Sequence, residues 1–377
     1  MRILIVSGIW PPDVGGPASH APDVAEFLRS HGHRVEVVIT ADREPAPERY
    51  PVRWTPRRLP KGFRHLHSLG LIAWRARRVD VVYSTGMFGR TGLATLAARR
   101  PFVMKLTGDP AFERLRARGV VAGDVDAFQY EPGGDISTLA LRRFRNWVVG
   151  RARHVFTPSA YLRDLVVSWG LPSDRVSVMP NPAPGAIPSA PREELRRRFR
   201  VAGATLAFAG RLTAQKSLGV MLDAVAASPG VTLLVAGDGE EADALAAGVA
   251  RLGLAERVRL LGPVSRAEVL DVFAAADASV LSSSWENFPH SVVESLAVGT
   301  PVISTRAGGV AEVVRDGVNG LLVDVGDTAG LAAAIGHFFE DEPLRERLRA
   351  NAAPSVDAYR ADRLLGVVVE RLAEAGA

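Results

Sequence analysis

Short apolar runs alternating with helical patterns constrain this chain more than any other feature. "RILIVSG" opens it, the amphipathic "HAPDVAEFLRSHG" follows, and "RVEVVIT" comes next. "DVVYSTG", "PFVMKLTG", "HVFTPS" and "RVSVMP" continue the series. Runs that are apolar throughout suit strands buried on both faces, and helices between them make the strands parallel. The proline-rich stretch "NPAPGAIPSAP", residues 181–191, then breaks the pattern, with no large apolar residue except Ile187. It reads as a linker. Beyond it the pattern restarts with "TLAFAGR", "VTLLVAG", "RVRLLG", "ASVLSSS" and "TPVIST", separated by helices such as "SLGVMLDAVAAS" and "EEADALAAGVARLG". Two α/β units are therefore expected, their strand carboxyl ends facing a common cleft where ligands bind. A length of 377 residues with 47% hydrophobic content can fill both cores.

Composition removes several functions. Without cysteine there is no disulfide, no zinc-thiolate site and no thiol nucleophile. No apolar run approaches the roughly 18 residues of a membrane span. The N-terminal "MRILIVSGIWPPDVGG" is broken early by Pro11, Pro12 and Asp13, so it reads as a buried first strand rather than a signal peptide. A cytoplasmic protein is expected. The net charge of +5 hides an asymmetry: residues 1–190 hold 27 Lys+Arg against 16 Asp+Glu, and residues 191–377 hold 19 against 25. Only Lys61, Lys105 and Lys216 are lysines.

Within "AFAGRLTAQKSLGVML" a strand ends at Gly210, Arg211 follows, and Lys216 lies just before a helix N-terminus. Two cations and a positive helix end suit a diphosphate, although two solvated bases would look the same. No P-loop and no G-x-G-x-x-G follow any strand, so a dinucleotide reading has little support. In "PPDVGGPASH", Gly15 and Gly16 would let the backbone approach an anionic ligand at the first helix, and Gly308-Gly309 in "TRAGGVAEVV" repeats the device. Glu286 and Glu294 invite a glycosidase reading. Eight residues of helix would separate them by about 12 Å, beyond the roughly 5–9.5 Å of hydrolytic pairs. As separate acids they suit hydroxyl-rich ligands. Pro289 suits a first helical position, leaving Asn287 and Phe288 in the preceding turn with backbone amides available. Asp124-Val125-Asp126 is a D-x-D without a preceding strand or third ligand, and reads as a solvated loop.

Taken in order, "GRLTAQK", "AGDGEE", "ENFPHSVVESLAVGTPVI", "AGGVAEVV" and "DGVNGLLV" resemble the signature of glycosyltransferase family 4, with its E-x7-E spacing. "SGIWPPDVGG", "HGHRVEVV", "TPSAYLRDLV" and "VSVMPNP" extend the resemblance over the amino-terminal half. It implies a GT-B fold of two Rossmann-like domains facing a central cleft. An acceptor-side domain would span residues 1–185, with a returning C-terminal helix at about 355–377, and a donor domain would span 186–354. It further implies a retaining transferase that takes a nucleotide-diphosphate sugar as co-substrate, with no other cofactor and no obligatory metal. Arg211 and Lys216 would hold the diphosphate, and Glu294 the ribose. Glu286 would hold the transferred sugar with the backbone of Asn287, Phe288 and Pro289. Gly15 and Gly16 would lie against the phosphates, and Gly237 and Val264 would flank the base. Where many members carry a histidine this chain reads "KLTGDPAFE", which makes Asp109 the candidate for contact with sugar or acceptor, supported by Lys105 and Glu113.

The acceptor would be lipid-linked, a glycan or a small molecule. A non-catalytic nucleotide-sugar-binding protein is the alternative on the same scaffold. Residues 49–78 hold nine Lys+Arg and no acid, interleaved with Trp54, Phe63 and Trp74. Such a stretch suits the anionic inner face of a membrane, and equally a solvated basic face. No nucleic-acid motif accompanies it.

Overall fold

The computed structural model describes residues 1–13, 16–121, 125–130, 135–185 and 187–377. Contacts divide the chain into two compact units, Met1–Asn181 with Leu364–Ala377, and Pro182–Arg363.

The first unit carries β1 (Arg2–Ser7), β2 (Arg34–Ala41), β3 (Val52–Pro56), β4 (Val81–Ser84), β5 (Phe102–Lys105), β6 (His154–Thr157) and β7 (Val176–Val178). They form one sheet ordered β3-β2-β1-β4-β5-β6-β7, parallel at each pairing. The chain winds outward from β1 to β3 and returns beside β1 as β4, reversing direction between β1 and β4. Ile3, Leu4, Ile5 and Val6 are wholly buried, as a strand covered on both faces demands. The terminal helix Ala361–Gly376 sets Leu365, Val368 and Leu372 on one stripe, buried with Ile3, Ile5 and Val81. Each such side chain contributes about 1.5–3 kcal/mol of burial.

The second unit carries β8 (Thr205–Ala209), β9 (Thr232–Ala236), β10 (Val258–Gly262), β11 (Ala278–Leu281), β12 (Val302–Thr305) and β13 (Gly320–Val323). The order is β10-β9-β8-β11-β12-β13, again parallel, with the reversal between β8 and β11. Adjacent residues of one strand face opposite cores: Leu206 and Phe208 join the larger cluster, Ala207 and Ala209 the smaller. The turn of residues Ala353–Tyr359 belongs to this unit, with Val356 in the larger core and Tyr359 edge-on to Phe288 at 5.8 Å.

Two strands escaped the sequence reading. β3 and β13 are edge strands, each with a single buried residue; β3 mixes Arg, Trp and Thr, and β13 is a run of only four residues opened by a glycine. The D-x-D segment also differs from a solvated loop. Asp124 lies outside the described residues, while Val125 is buried at the start of the short helix Val125–Tyr130.

Candidate active site

In the second unit the loops after β8, β9, β11 and β12 are stitched together at the carboxyl ends of the strands, where the winding reverses. That is where open α/β sheets bind ligands. Gly210 N–H donates to the Ala236 carbonyl at 3.0 Å and Gly237 N–H to the Gly262 carbonyl at 2.8 Å. Gly237 has φ +143°, and a Cβ there would stand 1.9 Å from the Gly210 oxygen, so the loop requires glycine. Arg211 follows, exposed. The Gln215 amide donates to the Trp285 carbonyl at 2.6 Å, Ser284 N–H donates to the Gln215 carbonyl at 2.9 Å, and the Ser282 hydroxyl donates to the Lys216 carbonyl at 2.8 Å.

This stitching brings Lys216 and Glu286 into a short ion pair. Glu286 is only 6% exposed and also accepts the Ser283 hydroxyl at 2.6 Å. Its main chain is backed by the loop after β12: Gly309 N–H donates to the Glu286 carbonyl at 2.9 Å. Gly308 has φ +50°, and a Cβ there would meet the Glu286 carbonyl oxygen at 2.0 Å. Gly308-Gly309, expected to let the backbone approach a ligand, here packs against the Glu286 main chain. The pair lets two protein loops approach each other. Lys216 precedes the helix Leu218–Ala226, whose N-terminus has no side-chain cap. An ammonium has three donors, so the pair with Glu286 leaves hydrogen-bonding capacity for an anionic group at that helix end.

Pro289 is the N-cap of the helix His290–Ala297, one residue before the position expected of it. The Phe288 ring is in the core, so only its backbone can serve a ligand. Asn287 is buried beside Glu286 in sequence. Glu294 is largely buried and pairs with Arg266 at 3.3 Å; burial pushes its carboxyl up, against the pull of that guanidinium. Val264, two residues before Arg266, packs its side chain on the smaller core. Arg266 and Ser283 were missed in the sequence. Ser283 lies three residues before Glu286 and could have been noticed, but Arg266 reaches Glu294 across 28 residues and leaves no local signal.

The remaining candidates lie in the first unit. Gly15 is outside the described residues, and Gly16 opens the helix Gly16–Ser30. Asp13, three residues before it, pairs with Arg57 and is held below the usual carboxylate range by that guanidinium. Asp109 does not match the expectation of an open contact for sugar or acceptor. Its side chain is 0% exposed and pairs with Arg145. It caps the helix Pro110–Arg116 through Ala111 N–H at 2.8 Å, and accepts the Gln129 amide at 2.8 Å. With those oxygens occupied it positions the loop. Lys105 is buried and donates to Asn181 Oδ1 at 3.0 Å. The basic stretch 49–78 is also less uniform than its composition: Arg53 and Arg75 pair with Glu36, and Arg57 with Asp13 and Asp42.

Among the described residues no group of three or more His, Asp or Glu could hold a metal ion, and no helix is long and apolar enough to cross a membrane.

Residues 192–354 match the family described as glycosyl transferases group 1, and residues 15–182 match the glycosyl transferase 4-like domain. A lipopolysaccharide core biosynthesis glycosyltransferase, LpsE of Rhizobium meliloti, is 44% identical over 139 residues, covering 37% of this chain and 40% of that protein. A glycogen synthase of Mycobacterium tuberculosis is 28% identical over 381 residues, covering 94% of this chain and 89% of that protein. The crystal structure of Anabaena HepE in complex with UDP superposes with a TM-score of 0.81 at 24% identity, covering 99% of this chain and 100% of that one. With two doubly wound parallel sheets and these two family matches covering most of its length, the chain belongs to the GT-B glycosyltransferases of the family 4 type.

Proposed function

We propose that the protein is a retaining glycosyltransferase that moves a sugar from a nucleoside diphosphate donor to an acceptor hydroxyl, without an obligatory metal, in the assembly of a cell-surface glycan or glycolipid. The observation that carries this reading is the largely buried Lys216–Glu286 pair, on the same β8 loop as Arg211, at the winding reversal of the second unit and ahead of an uncapped helix. The similarity to a UDP-bound structure and to a lipopolysaccharide core transferase supports the substrate class.

As the bond from the sugar C1 to the diphosphate breaks, negative charge grows on the leaving oxygen. Arg211 and Lys216 stabilise that charge, the kind of preorganised electrostatics that dominates such reactions. Glu286, held by Ser283 and Lys216, accepts from sugar hydroxyls. Glu294 accepts from the ribose, and the turns at Gly237 and Val264 flank the base. The acceptor oxygen bonds to C1 on the face the diphosphate leaves, and its proton passes to the departing phosphate oxygen. A carboxylate nucleophile is unnecessary to this course. Contact with an anionic membrane through the helix Lys61–Ala76 is part of the same proposal.

Arg211→Ala and Lys216→Ala are each expected to lower turnover at least tenfold, about 1.4 kcal/mol or more. Release of nucleotide from UDP, GDP and ADP sugars measures it, with the anomeric configuration of the product read by NMR and the rate repeated in chelator. Near-wild-type rates in both variants would sink the assignment. An inverted product or a rate abolished by chelator would remove the retaining or metal-independent part.

A further inference from the structure

The first unit contains a pocket of about 880 Å³ that the donor chemistry does not use. It opens among the helices Lys61–Ala76, Phe88–Ala98, Pro110–Arg116 and Ile136–Arg151. The volume falls within the range of sites that enclose a whole small molecule and far exceeds what a bare phosphate fills. Two kinds of wall meet in it. One is cationic, with Lys61, Arg64, Arg90, Arg114 and Arg118. The other is apolar, with Phe88, Leu93, Phe144 and Val148.

The cationic wall holds its charges close together. Arg90 donates to the Ser68 hydroxyl at 2.8 Å, and that hydroxyl donates to the Arg64 carbonyl at 2.8 Å. Burial, and then the charges of Arg64 and Arg114, lower the Arg90 guanidinium to about 10. Among the described residues Lys61, Arg64, Arg90, Arg114 and Arg118 enter no ion pair with an acid. The pocket's other cation, Arg145, is neutralised by Asp109. The acid of the lining, Glu113, is pushed up, first by desolvation and then by the Asp109 charge, so it opposes an anion less than a free carboxylate would. Converging like charges without a counter-ion cost free energy unless an anion joins them. The apolar wall is only partly covered: Leu93 is 41% and Phe144 37% exposed.

We infer that this pocket binds an amphiphile with a phosphate or diphosphate head and an apolar chain, the phosphate among Arg64, Arg90 and Arg114 and the chain along Phe88, Leu93 and Phe144. The inference rests on the glycosyltransferase reading and narrows its acceptor to one whose hydroxyl is carried on a lipid-linked phosphate.

Monooctyl phosphate, kept below its micelle concentration, is the probe, titrated by calorimetry into the full chain beside inorganic phosphate and octyl glucoside. Octyl phosphate is expected to bind at least tenfold more tightly than either control. Arg90→Gln should weaken it at least tenfold. Arg114→Gln and Leu93→Glu, at exposed positions where folding is not at risk, should each weaken it severalfold, with UDP binding unchanged in all three. Inorganic phosphate binding as tightly as octyl phosphate overturns the proposal, as does octyl phosphate binding that none of the variants alters. UDP binding without octyl phosphate binding overturns the pocket and spares the transferase reading. Octyl phosphate binding without UDP or any other nucleotide overturns the transferase reading and the acceptor role with it.

Discussion

Lys216 and Glu286 sit 70 residues apart in sequence and share a salt bridge in the folded second unit. Motif spacing shows that each residue is present; it does not show that they neutralise each other before a donor arrives. If Lys216 receives the diphosphate as proposed, it offers an ammonium already oriented by Glu286, which keeps its Ser283 bond. Asp109 teaches the converse. Its place where many family members carry a histidine made it a candidate for contact with sugar or acceptor, yet an aspartate before proline is also a good helix cap, and here it caps while Arg145 and Gln129 fold onto it. Lys105 carries a prediction at this scale. Burial lowers its ammonium from 10.5 to about 7. Between those values the unfolded chain binds more protons than the folded one, so stability rises with pH across that window. Lys105→Met should flatten this rise and gain most over wild type near pH 7. Thermal unfolding of both proteins at pH 7 and pH 9.5 measures it, and equal slopes would refute it.

Among the elements, inner strands and amphipathic helices were legible, and of the four edge strands β7 and β10 were read while β3 and β13 were not. β1 and β2 are buried almost end to end, so composition alone marks them. β3 is half solvated, and its residues read as part of a basic tract. The helix Lys61–Ala76 shows what that tract becomes. Arg75 turns inward to Glu36, while Phe63 is 71% and Leu66 68% exposed. Arg53, Arg75 and Arg78 gather around the Trp74 ring at 5.8, 4.7 and 4.4 Å. Apolar residues exposed beside cations suit the surface of an anionic bilayer. The protein is expected to co-sediment with phosphatidylglycerol-containing vesicles at low salt, and a Phe63→Ser, Leu66→Ser double variant to lose at least threefold of that affinity. Equal sedimentation of the two proteins would remove the helix from the contact.

For the whole molecule, charge follows the division into units. Met1–Asn181 with Leu364–Ala377 holds 28 Lys+Arg against 18 Asp+Glu, while Pro182–Arg363 holds 18 against 23. An excess of cations in the unit with the amphiphile pocket favours an anionic acceptor and makes its binding salt-sensitive. The residues proposed to bind the donor lie in the other unit, so on that proposal a nucleotide should stabilise that unit selectively. At 100 times its dissociation constant the nucleotide adds about 2.7 kcal/mol. Calorimetric unfolding should then show the shift in the wild-type protein and little of it in Lys216→Ala. A full shift in that variant would separate Lys216 from the nucleotide.

The order of apolar runs, the proline-rich break and the ordered motifs were enough to specify two parallel α/β units and the family, because strand burial and turn chemistry are written locally in residue type. Partnership is not local. Which acid meets Lys216, that Arg266 holds Glu294, that Asp109 is closed and that five cations converge around an apolar wall depend on side chains brought together across tens of residues. Burial then sets their charge, and burial exists only once the sheets and helices have packed.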